Sequence, residues 1–367
     1  MMYNVLKPYY RTTEVLAEIR ECLDKGWTGM GYKTDEIEEA WKRYTKLPNA
    51  HFVNSATAGL HLAVKILKDY YEWKDGDEII TTPLTFVSTN HVILYENLKP
   101  VFCDVDKYLC LDPDEIEKHL TSRTRAIMFM GMGGSVGQLD RVKKICDTYG
   151  LVLILDAAHM AGTKVDNKHI GHEADAAVFS FHAVKNMPTA DAGMVCLNRS
   201  FLDSKARQLS WMGIDKNTHQ RSRGGYSWHY DVPEVGYKYH GNSIMAAMAL
   251  VALKYLDEDN DYRRDLARIY DNLLQADKVP VINSSRHLYQ ILVHNREKVI
   301  SYLNKKGIYP GVHYRSNLDY PMYHGSCPKA QDYADRLLSM PLHLGLSIED
   351  IKHITDDFNN YTVLQQT

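Results

Sequence analysis

No stretch of this 367-residue chain approaches the length of apolar sequence that crosses a bilayer. Residues Met1 to Arg11 lack the apolar core of a secretion signal, so the expected location is the cytoplasm. An excess of either charge is also missing. The 43 basic and 46 acidic side chains leave a formal net charge of −3, so no global field draws the chain to nucleic acid or to an anionic membrane. The six cysteines (Cys22, Cys103, Cys110, Cys146, Cys196 and Cys327) form no C-x-x-C pair and several sit in apolar runs, which predicts reduced, buried thiols. Histidine is plentiful, yet H-E-x-x-H is absent: His172-Glu173 begins the motif and the second histidine never arrives, so no metal site is expected. Repeats and low-complexity tracts are lacking too.

What is present is an ordinary globular composition, 45% hydrophobic and 24% charged, at a length that suits a large domain plus a smaller one. Between about residues 50 and 200, apolar runs alternate with helical patterns. A short strand ends at Val53, and Ser55 or Thr57 can cap a helix that puts Leu60, Ala63, Val64 and Leu67 on one face. Strands are predicted at Glu78–Thr82, Pro100–Asp104, Arg125–Met130, Leu151–Asp156, Ala176–Phe181 and Gly193–Leu197. Helices are predicted at Thr85–Glu96, Asp112–His119 and Leu139–Tyr149. Such alternation predicts an α/β fold with a mostly parallel sheet covered by helices on both faces. Ligands of such sheets sit beyond the carboxyl ends of the strands. After about residue 245 the pattern changes to a long helix, Ser243–Tyr255, and then helices with short strands such as Leu288–Leu292 and Gly311–His313. The expected division is a large domain over 1–245 and a smaller α+β domain over 246–367.

Three strand-end residues stand out. Asp156 closes the apolar run from Leu151, so its carboxylate is partly desolvated and needs a cation or donor. Alone it could simply cap a helix. Ser180 closes the strand Ala177–Ser180, and Lys185 follows in a loop. Together they bring an acid, a hydroxyl and an amine to one sheet edge. A pyridoxal phosphate (PLP) cofactor needs those groups: an amine for the imine, a carboxylate to keep the pyridine nitrogen protonated, and hydroxyls and helix-start N–H groups for the phosphate. Ser55, Ala56 and Thr57 stand at such a helix start. A rival phosphate loop at Gly131-Met132-Gly133-Gly134-Ser135-Val136-Gly137 fails on spacing, because G-x-G-x-x-G would put glycine where Val136 stands.

The residues Asp156-Ala157-Ala158-His159 and Ser180-Phe181-His182-Ala183-Val184-Lys185-Asn186 resemble the D-A-A-[QH] … S-F-x-x-x-K-N signature of the DegT/DnrJ/StrS sugar aminotransferases, which are fold-type-I PLP enzymes. Gly26–Gly29, Asn54–Leu60, Thr82–Phe86, Lys99–Asp104, Gly236–Asn242 and Gly311–Tyr314 match further family segments in order, so the likeness spans most of the chain. It implies that Lys185 carries PLP as a Schiff base and moves the proton. It also implies that Asp156 binds the ring nitrogen, that Phe86 and His159 flank the ring, and that Ala56, Thr57 and Ser180 hold the phosphate. His313 and Tyr314 would face substrate. In relatives the residue matching Asn242 reaches the phosphate of the neighbouring subunit, which implies a homodimer with shared sites. Three departures stand out: Ala56 replaces a usual glycine, Ala190-Asp191-Ala192-Gly193 replaces G-D-G-G, and Gly133–Gly137 replaces an H-x-x-G motif.

The implied reaction is amination of a nucleotide-linked keto-deoxy sugar, a 4-keto-6-deoxyhexose first, with glutamate as donor, in surface-polysaccharide or glycoside biosynthesis. A sugar 3-ketone or a small phosphorylated ketone is the alternative acceptor. A PLP-dependent 3-dehydratase is disfavoured, because relatives of that kind replace the lysine with histidine. A non-catalytic regulator is disfavoured by the intact Lys185, Asp156 and Ser180.

Overall fold

The computed structural model describes residues 2–215 and 229–364. In chain order the elements are β1 Tyr3–Asn4, α1 Thr12–Asp24, α2 Tyr32–Thr45, β2 His51–Val53, α3 Ala56–Tyr70, β3 Glu78–Thr81, α4 Val87–Tyr95, β4 Lys99–Phe102, α5 Pro113–Ile116, β5 Thr124–Met130, α6 Leu139–Tyr149, β6 Val152–Asp156, β7 Lys164–Val165, β8 Lys168–His169, β9 Ala176–Ser180, β10 Gly193–Leu197 and α7 Ser200–Ser210. After residue 229 come α8 Ser243–Lys254, α9 Leu256–Leu273, β11 Asp277–Lys278, β12 Tyr289–Leu292, α10 Arg296–Lys305, β13 Ile308–Tyr309, α11 Pro328–Arg336, β14 Leu337–Met340 and α12 Ile348–Leu364.

The central sheet has seven strands in the order β2-β10-β9-β6-β5-β3-β4. Strands β4, β3, β5, β6 and β9 pair in parallel, as the alternating pattern predicts. Strand β10 runs antiparallel to both β9 and β2. Nothing in its sequence announces that reversal, because a strand buried on both faces reads as an unbroken apolar run in either direction. Every residue of β6 and β9 is buried.

The two-residue period of these strands sorts their side chains between two cores. Leu153, Leu155, Ala177 and Phe179 join a core that includes Ile37 and Trp41 of α2 and Val142 of α6. Val152, Ile154, Ala176 and Val178 join the opposite core, with Leu60 and Val64 of α3 and Val92 and Ile93 of α4. Carrying the same parity one step further places Asp156 and Ser180 on the α3–α4 face.

The C-terminal part builds a three-stranded antiparallel sheet, β11-β12-β14, against α9, α10 and α12. The strand expected at Gly311–His313 is instead Ile308–Tyr309, which pairs in parallel with β1. Pro310 offers no N–H to continue that ladder. Gly311 keeps only one bridge, to Ser339. The helix expected at Asp112–His119 is the short α5 followed by a 3₁₀ turn, Glu117–His119. All six cysteines are buried and unbonded to one another. Among the described residues no helix is long and apolar enough to cross a membrane.

Candidate active site

The carboxyl ends of β6 and β9 converge as the sequence predicts. Asp156 is buried, with Oδ2 accepting from Thr89 Oγ1 at 2.7 Å and Oδ1 accepting from Ala158 N at 3.1 Å. Thr89 can give its single proton to Asp156 because its oxygen takes one from Thr85, 2.8 Å away. Burial pushes the Asp156 carboxyl above its ordinary range, against the pull of those two donors and of Lys185. Lys185 feels the converse: desolvation lowers its ammonium to about 8, and Asp156 opposes the fall. An amine that loses its proton near neutrality is a nucleophile and a proton carrier.

Ser180 sits beside Gly193 in the ladder between β9 and β10. A Cβ on Gly193 would lie 2.7 Å from Ala56 N and 2.9 Å from Phe179 O, so the start of α3 seats directly on the first residue of β10. Ser55 caps α3, its side chain accepting from Ala58 N. The amides of Ala56 and Thr57 therefore belong to a helix start with no internal acceptor, the arrangement that binds phosphate. Ala56 in place of glycine leaves those amides in place.

Phe86 precedes α4 and is 54% exposed, which leaves a ring face open for another flat ring. Its centroid is 5.8 Å from that of Tyr314. Tyr314 Oη lies 2.9 Å from His159 Nε2, and His159 Nδ1 accepts from Gly133 N at 3.2 Å. His313 Nδ1 meets Ser339 Oγ at 3.0 Å, and burial lowers its pKa to about 4. Asn242 is the N-cap of α8, its Oδ1 accepting from Met245 N at 3.0 Å. The structure thus gathers Ala56, Thr57, Phe86, Asp156, His159, Ser180, Lys185, His313 and Tyr314 around one sheet edge, and gives Asn242 a capping role within its own chain.

Several residues of this site were not singled out from the sequence. Thr89 is one; its spacing from Thr85 by one helical turn is a usable signal in retrospect. Asn186 and His287 are others. Asn186 Nδ2 donates to Asn260 Oδ1 at 2.7 Å and to Ser285 O at 2.9 Å. The Ser285 carbonyl can only accept, so Asn186 Oδ1 faces His287, and His287 donates to it from Nδ1 at 3.0 Å. The residue after Lys185 is thereby anchored by side and main chains about a hundred positions away. Among the described residues no cluster of three or more His, Cys, Asp or Glu could hold a metal ion.

These groups fit PLP. A buried carboxylate can take the ring nitrogen, a lowered amine can take the aldehyde, helix-start amides and Ser180 can take the phosphate, and the open face of Phe86 can take the ring. A family model described as the DegT/DnrJ/EryC1/StrS aminotransferase family matches residues 10–359. The chain is 33% identical over 359 residues to the uncharacterized protein MJ1066 of Methanocaldococcus jannaschii, covering 92% of each chain. It superposes on Helicobacter pylori PseC, an aminotransferase involved in the biosynthesis of pseudoaminic acid, with TM-score 0.90 at 27% identity, over 98% of this chain and 99% of that one. It matches Spr1654 of Streptococcus pneumoniae, named for sugar aminotransfer and solved in PMP and PLP forms; for the PMP form the TM-score is 0.90 at 28% identity, over 97% and 98% of the two chains.

The lowered amine makes a testable demand. Only neutral Lys185 attacks an aldehyde, so its reactive fraction rises as pH climbs through about 8, where an ordinary lysine would still be protonated. Capture of added PLP by the apoprotein, followed by absorbance, should show that midpoint. Borohydride should then fix the cofactor on Lys185; an adduct mapped to Lys143 or Lys238 would show the assignment to be wrong.

Proposed function

The chain belongs to the DegT/DnrJ/EryC1/StrS aminotransferase family and is a PLP-dependent transaminase, and we propose that its acceptor is a nucleotide-linked keto-deoxy sugar, specifically a 4-keto-6-deoxyhexose, with L-glutamate as amino donor. The observation that carries the chemistry is the lowered Lys185 amine beside the buried Asp156 carboxylate. A sugar acceptor is supported by the likeness to Spr1654, named for sugar aminotransfer, and to PseC, an aminotransferase involved in the biosynthesis of pseudoaminic acid; the 4-keto-6-deoxyhexose is what the family resemblance implies.

When bound, PLP supplies a carrier for the amino group and an electron sink for the substrate carbon. In this reading Lys185 would hold the cofactor through its lowered amine and, as a free amine, would carry the proton at the reacting carbon. Asp156, with both oxygens already oriented by Thr89 and Ala158, keeps a proton on the ring nitrogen. Ala56, Thr57 and Ser180 would hold the phosphate, and Phe86 and His159 would flank the ring. His313 and Tyr314 line the substrate side. Amination in cytoplasmic surface-polysaccharide or glycoside biosynthesis follows from the proposed substrate. The test is direct: offer the purified protein a panel of nucleotide ketosugars with L-glutamate and follow amination by mass. Turnover of small phosphorylated ketones and of no 4-keto sugar would refute the proposed acceptor.

Asn242 and the segment before it are proposed to reach a second copy of the chain, making a homodimer with shared sites. The exposed Val232 and Val235, which precede it in the chain, support this. Sedimentation of the purified protein should give twice the chain mass, and a stable, active monomer would end the proposal.

Asp156→Asn separates chemistry from stability. It should still bind PLP, since the lysine and phosphate contacts remain. A neutral amide cannot keep the ring nitrogen protonated, so the transition state loses a charge interaction in a dry site. That costs on the order of 3 kcal/mol, about a hundredfold in rate. If Asp156 served only as a turn residue, the melting temperature would fall instead and single-turnover rates would stay within a few-fold of wild type.

A further inference from the structure

The Gly131–Gly137 loop fails as a phosphate loop, yet it is built with care. Gly133 and Gly134 have φ of +60° and +91°, a backbone region that suits glycine. A Cβ on Gly134 would lie 2.8 Å from His159 O. Gly133 O accepts from His287 N and from Ser284 Oγ, each at 3.0 Å, and Gly134 O accepts from Thr163 Oγ1 at 2.8 Å. The loop is buried along its length. Gly137 N donates to Ser135 Oγ inside the loop at 3.3 Å, and Gly133 N donates out of it to His159 Nδ1 at 3.2 Å.

A backbone amide can only donate. His159 Nδ1 must therefore be the lone-pair nitrogen, and in a neutral ring the proton is on Nε2. Burial first, then Lys185 and His313, hold His159 neutral. The ring of His287 packs at 4.4 Å and is itself kept neutral by burial. Since Nε2 carries the hydrogen, Tyr314 Oη is the acceptor at 2.9 Å. The phenol's own hydrogen has no other partner among the described residues, and burial keeps the phenol protonated. The Tyr314 ring packs against both Phe86 and His159, with centroids 5.8 and 5.9 Å away.

We propose that this one-way chain, from Gly133 N–H through His159 to Tyr314, makes the Tyr314 hydroxyl an obligate hydrogen-bond donor to the carbonyl oxygen of the incoming ketone. The proposal rests on the reading of the site given above. Tyr314 polarises the carbonyl and keeps its proton; Gly133 and His159 are positioning groups. Glutamine at position 159 would reproduce the pattern, accepting from Gly133 through Oε1 and donating to Tyr314 through Nε2.

Two measurements decide the matter. Nitrogen NMR of the ¹⁵N-histidine apoprotein, with the His159 signal identified by its loss in His159→Gln, should show a neutral ring protonated on Nε2. An Nδ1-protonated ring or an imidazolium at neutral pH would overturn the chain. The second measurement loads the protein with pyridoxamine phosphate and mixes it with 2-oxoglutarate in single-turnover mode. Tyr314→Phe should slow the reaction about a hundredfold, as loss of one donor to a developing negative charge does. His159→Leu should approach that loss, and His159→Gln should restore most of the rate. The absorption band of PLP-loaded Tyr314→Phe should match wild type. An unchanged rate, or a shifted band showing that Tyr314 touches the cofactor ring instead, would overturn the proposal. Failure of the wild type to react with 2-oxoglutarate would count against glutamate as donor; equal reaction by wild type and Tyr314→Phe would defeat this proposal alone.

Discussion

Everything in this site depends on one electrostatic compromise: a carboxylate and an amine are taken partly out of water, close enough to feel each other but not to form an ion pair. Full contact would make a salt bridge, hold the lysine protonated and deprive it of nucleophilicity. Full isolation would drive both groups neutral and leave nothing to hold a protonated ring nitrogen. The structure sits between. Desolvation shifts Asp156 upward and Lys185 down to about 8, and each charge partly offsets the other's shift. Thr89 and the Ala158 amide supply what Asp156 lacks. A group that titrates near neutrality without a direct counterion is the costly part of the design, and the surrounding packing exists to sustain it.

The sheet supplies the geometry for that compromise. Parallel strands put their carboxyl ends at one edge, and the two-residue alternation that sends Leu155 and Phe179 into one core sends Asp156 and Ser180 to the other face. Helices α3 and α4 lie on that same face, so Ala56 and Thr57 at the start of one and Thr89 in the first turn of the other stand on the face that carries Ser180 and Asp156. The reversed strand β10 adds the last constraint. Its first residue is glycine, and any side chain there would push against the start of α3.

These features explain which parts of the molecule could be read in the sequence. Asp156, Ser180 and Lys185 were legible because strand ends are legible: an apolar run stops, a polar group appears, and the fold class says where that edge points. The parallel core followed from the same alternation. The antiparallel β10 did not, since burial on both faces erases directional information. The displaced strand at Ile308–Tyr309 went unread because its partner is β1, about three hundred residues away, and pairing of that kind leaves no local trace. Asn186 was visible only as a motif letter. Its function is to bind Asn260, Ser285 and His287, which come from the far end of the chain and converge only in three dimensions. Gly133 looked like a failed phosphate loop because sequence shows glycine spacing and hides the direction of an amide.

The residues that were hardest to read are the ones that fix protonation. Three imidazoles, of His159, His287 and His313, surround Lys185, and all are held neutral chiefly by burial. Were any of them cationic, it would push the lysine lower still and compete for Asp156. As neutral rings they act as oriented dipoles, each with a defined donor and acceptor side, and they replace the water that the amine has lost. Burial lowers His313 to about 4 and Lys185 to about 8, so well inside that range His313 stays neutral and Lys185 stays mostly protonated. Within that window the directions of the hydrogen bonds are set by groups that cannot reverse: a backbone amide at Gly133 and a backbone carbonyl at Ser285. The catalytic edge is thus governed from behind by main-chain atoms, which no side-chain substitution can rewrite without moving the loop that carries them.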